Sequence, residues 1–224
     1  MNKLCRYQVL AVITLLAAAL TLAQAVPVSA QPDWLEIDTQ KDFPALKPAF
    51  TVRYPPGFQK QEPPQQGDGS HPGPNGGGFS VGDYFLLDKE SGAVTTLSTV
   101  RWWWTPQEKQ VAEDKGLKTY WEFLGQDMAN KMQDSYEGAD FFDYQRHQAA
   151  DIFFSGPATL LELDEPYSIV GLTRSVAAED GHVLMNCFVM LPKRVADGWG
   201  GTARDYPDTA KICRPYFDSL QFKN

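Results

Sequence analysis

Apolar positions along this chain recur with two different periods, and the alternation between them predicts the fold class. Phe50-Thr-Val-Arg-Tyr54 is a period-2 run with Phe50, Val52 and Tyr54 on one face, stopped by Pro55-Pro-Gly57. Phe79 to Leu87 and Ala93 to Trp104 read as two strands joined by the turn Asp88-Lys-Glu-Ser-Gly92. The period then changes. Thr105-Pro-Gln-Glu108 carries an N-cap, a first-turn proline and a capping-box glutamate. After it Leu117, Trp121, Leu124, Met128 and Met132 recur at helical spacing, with Gly116 leaving open one helix or two.

Strand patterns return over Phe141 to Arg146, Ala158 to Leu163 and Ser168 to Val176. Ala178-Glu-Asp-Gly181 then makes a hairpin connection into Val183 to Leu191. A short helical segment around Asp208 to Arg214 and a closing strand, Asp218-Ser-Leu-Gln-Phe222, follow. The pattern predicts an α+β domain, with helices packed on a mostly antiparallel sheet. Trp34 to Lys47 enters it as irregular structure or a short edge strand.

Two stretches lack either period. Residues 1–30 hold Lys3 and Arg6, a 15-residue apolar run from Val9 to Ala23, and Val28-Ser-Ala30 before Gln31. That is the pattern of a cleaved signal peptide, since a spanning helix needs about 20 apolar residues. Cleavage would leave 194 of 224 residues as a single domain and place it in a bacterial periplasm or outside the cell. From Gln59 to Gly78 the chain is rich in Gln, Pro, Gly and Ser. So little of it can be buried that a disordered loop insertion is expected. Gly73-Pro-Asn-Gly-Gly-Gly78 has neither the dinucleotide fingerprint nor the Lys-Ser/Thr ending of a phosphate loop.

Charge and cysteines narrow the picture. The formal charge is −8, and −10 without the two basic leader residues. This disfavours nucleic acid and gives no sign of peripheral contact with an anionic membrane. With Cys5 in the leader, Cys187 and Cys213 remain. In an oxidising compartment they are expected to form a disulfide, the alternative being two buried free thiols. Two isolated thiols lack zinc-site spacing, and no two of His71, His147 and His182 lie four residues apart, so neither metal nor cofactor is expected. His71 and His182 are expected at the surface.

Candidate chemistry is sparse. No Gly-x-Ser-x-Gly elbow occurs. The carboxylate pairs Asp140 with Asp143 and Glu162 with Asp164 could serve a small secreted hydrolase, although a solvated face is the simpler reading. Trp102-Trp-Trp104 is the most unusual local feature: in a strand Trp102 and Trp104 share one face and Trp103 takes the other. One face belongs to the core, and the other is a candidate contact patch.

Phe50-Thr-Val-Arg-Tyr-Pro-Pro-Gly-Phe58, the amphipathic stretch Leu117 to Met132, and the ending Asp218-Ser-Leu-Gln-Phe222 together resemble the PsbP-like family, with its DcrB-like and Ran-binding Mog-type members. The long insertion at 59–78 and Pro215, which interrupts the last helix, depart from that pattern. The resemblance implies an α+β fold and a non-catalytic accessory, assembly or binding role. It supplies no catalytic residue. The function expected is a periplasmic protein that engages a protein partner at the cell envelope, with the hydrolase as alternative.

Overall fold

A computed structural model describes residues 33–61, 77–132, 135–157, 167–197 and 202–223. The predicted leader lies outside them. Two antiparallel sheets account for the strands. A small one has the order β1-β2-β10, with β1 Leu35–Asp38, β2 Phe50–Tyr54 and β10 Gln221–Phe222. The large one has seven strands in the order β3-β4-β5-β9-β8-β7-β6. These are β3 Gln59–Gln61, β4 Gly77–Leu87, β5 Val94–Trp103, β6 Ser135–Tyr144, β7 His147–Pro157, β8 Tyr167–Ala178 and β9 Gly181–Pro192. The chain is thus α+β with a mostly antiparallel sheet, as its patterning predicts.

A seven-stranded sheet with two apolar faces needs a cover on each. On one face lie α2, Pro106–Lys115, and α3, Leu117–Met132. Thr105 caps α2: its Oγ1 accepts from Glu108 N at 3.0 Å, and Glu108 Oε2 accepts from Thr105 N at 2.7 Å. Gly116, with φ +82°, separates the two helices, which settles the question that spacing leaves open. Trp121, Leu124 and Met128 are buried with Tyr120 and Ala129 against Phe154, Ile152 and Leu184. Gly125 lets the helix approach, for a Cβ there would stand 2.6 Å from the Tyr136 ring and 2.7 Å from Ile152.

On the other face lie the small sheet, a helical turn α1 (Thr39–Asp42), and the C-terminal segment. That segment runs from a 3₁₀ turn, Ala203–Asp205, through a π turn, Thr209–Cys213, into α5, Arg214–Phe217. Phe50, Val52 and Tyr54 share the inner face of β2, as period 2 requires. They meet Leu97, Met185, Tyr216 and Phe217 in the larger core cluster. A single helical turn, α4 (Lys193–Ala196), leads away from β9. Among the described residues no helix is long and apolar enough to cross a membrane.

Several expectations are corrected. Gln59–Gln61 and Gly77–Gly78 belong to strands, so the expected loop is shorter at both ends, and residues 62–76 lie outside the described part. The strand β7 gave no period-2 signal because it is buried on both faces, with Ala149, Ala150, Ile152, Phe153 and Phe154 all inside. Its hairpin to β6 turns through Gln145 and Arg146, both at positive φ without the Asn-Gly that marks such turns. The strand expected at Ala158 to Leu163 lies outside the described residues. Pro215 marks a change of helix type, not a break: the π turn Thr209–Cys213 passes directly into α5 through Cys213 and Arg214, both helical, and Pro215 sits in the first turn that follows. The closing strand is only two residues long and pairs with β2, not with the large sheet.

Cys187 and Cys213 are joined as expected, with Cα atoms 5.6 Å apart and both residues buried. The bond ties the π turn to the centre of β9. Replacing both cysteines with Ala is expected to lower unfolding stability in urea by about 2–4 kcal/mol while the far-ultraviolet circular dichroism stays unchanged. Two reactive thiols per chain in the denatured, unreduced mature protein would overturn the pairing.

Candidate functional site

The tryptophan run is not a contact patch. Trp102 and Trp103 are buried, and Trp104 is half-buried against the helix-side cluster. The alternation itself is as expected, Trp102 facing the helices and Trp103 the small sheet. What overturns the exposed reading is position: β5 lies between β4 and β9, deep in the sheet, and both its faces are covered. The Trp102 indole N–H reaches Glu108 Oε2 at 3.4 Å, and the Arg101 guanidinium lies 5.0 Å over the Trp103 ring.

His182 is likewise not at the surface. The Glu179–Asp180 turn is so tight that β9 begins at Gly181, and His182 is already opposite Trp102 on one side and Ala177 on the other. It is fully buried. Its Nδ1 lies 2.9 Å from Ser175 Oγ, which accepts the Trp121 indole N–H at 2.7 Å. A serine beside a histidine has the outline of a nucleophile with its base. Here both are sealed in the core, and burial followed by the nearby Arg101 charge depresses the imidazole pKa to about 3. The arrangement pins α3 to the sheet.

The carboxylate pairs do not converge either. Asp140 and Asp143, three residues apart on β6, project to opposite faces, and Asp140 is held by Arg204. Glu162, Asp164 and His71 lie outside the described residues. His147 packs its ring 4.3 Å from that of Phe222. Among the described residues no group of three or more His, Cys, Asp or Glu side chains could hold a metal ion.

An open groove of about 470 Å³ lies on the outer face of the small sheet. Its floor follows from the same period 2 that buries Phe50, Val52 and Tyr54: Thr51 and Arg53 must point outward, as must Glu36 of β1, the register partner of Arg53. Trp34 closes one end, and Pro215, Asp218, Ser219 and Gln221 form the opposite wall. The Arg53 guanidinium lies 5.3 Å over the Trp34 ring, and Trp34 remains 36 % exposed.

The wall is held firmly. Ser219 Oγ accepts from Arg53 N at 2.9 Å and donates to Tyr216 O at 2.6 Å, so the serine takes the place of a strand partner beyond the end of β10. Asp218 Oδ1 accepts from Arg174 NH1 at 2.8 Å, while Arg174 forms a bidentate pair with buried Asp151 at 2.7 and 2.9 Å. Its guanidinium also lies over the rings of Phe142, Tyr144 and Phe217. The pattern of the sequence alone does not point to this groove. Arg53, outward in a clean alternating strand, was its one legible signal.

The His182 assignment has a pH consequence. Its unfolded imidazole titrates near 6.5 and its folded one near 3, so the unfolded state takes up the proton first as pH falls between these values, and stability drops across that window. The stability advantage of the wild type over a His182→Asn variant is expected to shrink by on the order of 3 kcal/mol from pH 7 to pH 4, measured by urea unfolding. An imidazole NMR titration with a midpoint near 6.5 would overturn the buried-neutral state.

No family model matches the sequence, and no curated protein matches it. Among solved structures, it is similar to the solution structure of cyanobacterial PsbP (CyanoP) from Synechocystis sp. PCC 6803, at 11 % identity and a TM-score of 0.46 over 91 % of this chain and 99 % of that one. It is also similar to the Saccharomyces cerevisiae Ran-binding protein Mog1p, at 11 % identity and a TM-score of 0.47 over 86 % of this chain and 96 % of that one. A protein of Bacteroides thetaiotaomicron matches 78 % of this chain, which covers 45 % of its own length, with a TM-score of 0.32. The likeness to the PsbP and Mog1p structures is one of general fold and carries over no residue's role.

Proposed function

We propose that this chain is an exported, non-catalytic binding protein that engages a protein partner at the cell envelope through the groove on the outer face of β1, β2 and β10. One observation carries the reading. The groove sets a partly exposed tryptophan and an arginine, residue types enriched at binding hot spots, opposite a wall that hydrogen bonds and an ion pair hold in place. A wall already ordered loses little conformational entropy on binding.

The reactive side chains support the same view by where they are used. Both mature cysteines form the disulfide, His182 anchors α3, and Arg174 is committed to Asp151 and Asp218. The leader pattern and the disulfide together favour an oxidising compartment outside the cytoplasm. The hydrolase alternative gains nothing from Asp140 and Asp143, which diverge.

Immobilised mature protein is expected to retain a specific chain from envelope extract, and Trp34→Ala with Arg53→Glu to retain at least roughly tenfold less at an unchanged melting temperature. Equal recovery by wild type and variant would remove the groove from the interaction. N-terminal sequencing of exported material is expected to begin at or near Gln31; an intact Met1 in a membrane fraction would overturn export by cleavage.

A further inference from the structure

On the helix-side face of the large sheet a row of polar side chains crosses five strands. Thr173 of β8 is the register partner of Asn186 in β9, Asn186 of Ser98 in β5, Ser98 of Asp83 in β4, and Asp83 of Gln61 in the edge strand β3. All five residues are buried. Hydrogen bonds run along the row in one direction: Thr173 Oγ1 donates to Asn186 Oδ1 at 2.9 Å, and Asn186 Nδ2 donates to Ser98 Oγ at 3.0 Å. Ser80 Oγ donates to Asp83 Oδ2 at 2.6 Å. At the far end the pattern breaks. Asp83 Oδ1 and Gln61 Oε1 are both buried acceptors, and neither has a hydrogen-bond partner among the described residues.

Directly opposed residues of an antiparallel pair hold their Cβ atoms about 4.5–5.5 Å apart, so these two side chains are close neighbours. Two facing acceptors with no donor between them are destabilising in the interior. One proton removes the conflict, because a protonated carboxyl is a donor.

We propose that the carboxyl proton of Asp83, donated from Oδ1 to Gln61 Oε1, clasps the edge strand β3 to β4, and that its loss to solvent releases β3. The mechanism is an exchange of states. With the proton, the polar row ends in a satisfied hydrogen bond. Without it, a buried carboxylate faces an amide oxygen, and the strain is relieved where the sheet is weakest. That place is β3, which among the described residues is three residues long and pairs only with β4.

The surroundings favour the protonated form. Gln61, Ser98 and Ser80 face or flank the carboxyl and carry no charge. The charge of an ionised Asp83 acts weakly on the buried phenols of Tyr54 and Tyr216 across the sheet, with Tyr84 beside them. Burial pushes the Asp83 pKa up to about 6, against a smaller opposing effect of the Ser80 hydrogen bond. Because the folded value lies above the unfolded one of 3.8, the clasp's contribution is complete below about pH 3.8 and is lost as pH rises through about 6.

The test is a pair of pH series on the full mature chain, from pH 4 to 8. The Asp83 carboxyl carbon is followed by NMR, and amide hydrogen exchange of Gln59, Lys60 and Gln61 is corrected for intrinsic rates. The expected result is a carboxyl midpoint near 6 and a roughly tenfold or greater loss of β3 protection across the same midpoint. The Asp83→Asn variant, which keeps a neutral donor in place, should show protection flat with pH. A carboxyl midpoint at or below 3.8 would overturn the proposal, since the Gln61 amide N–H would then be the donor to an ionised Asp83. Protection unchanged through the Asp83 midpoint would overturn it too, and so would pH dependence surviving in Asp83→Asn. The wild-type series decides by itself if the variant does not fold.

Discussion

The structure depends on one constraint: the central strand β9 is buried along its whole length, on both faces. A strand in that position cannot have its apolar sets covered from one side only. The helices α2 and α3 seal one face and the C-terminal segment with the small sheet seals the other, so three parts of the chain remote in sequence must assemble on it. The bond between Cys187, at the centre of β9, and Cys213 fixes the part that is least regular. A π turn followed by a single turn of helix has little stability of its own. It is held by what it covers.

Polar groups inside this assembly act as tie points between layers. Tyr54 of β2 donates to Thr99 of β5 at 2.8 Å, and Thr99 meets the Tyr216 hydroxyl of α5 at 2.7 Å, so a single threonine joins both sheets and the C-terminal helix. Arg101, with no exposed surface, donates to Lys47 O at 2.7 Å and pairs with Asp180 at the rim. Arg174 does the same between Asp151 inside and Asp218 at the groove wall. Buried ionic groups of this kind are poor sources of net stability, because desolvation offsets their attraction. Their effect is on geometry: each guanidinium joins a buried part of the chain to the rim, and without Arg174 the buried Asp151 would lose its ionic partner.

That geometry explains why the groove lies on the small sheet. The outer faces of β1 and β2 need no cover, because their inner faces already bury Phe50, Val52 and Tyr54. The outer residues are therefore free to carry charge and an exposed indole. The wall beside them is the end of the same C-terminal segment that the disulfide and Arg174 hold, so the groove inherits its rigidity from the core.

The sequence by itself determined the local parts. Capping at Thr105, the stripe from Leu117 to Met128, the alternation in β2 and β5, the α+β class and the pairing of two cysteines all follow from short-range pattern and composition. Tertiary structure decided whatever depends on which strand lies beside which. The tryptophans of β5 alternate as predicted, yet both faces are buried because the strand is internal to the sheet. His182 follows a turn, yet is buried because β9 begins at the next residue after it. The strand β7 left no alternation to read, since burial on both faces erases the polar positions that period 2 requires. Glu36, Arg53 and Asp218 are unremarkable charges along the chain, and only the pairing of β1 and β10 with β2 brings them to one surface. Asp83 and Gln61, 22 positions apart, face each other for the same reason: register is a property of paired strands, and no single strand encodes it.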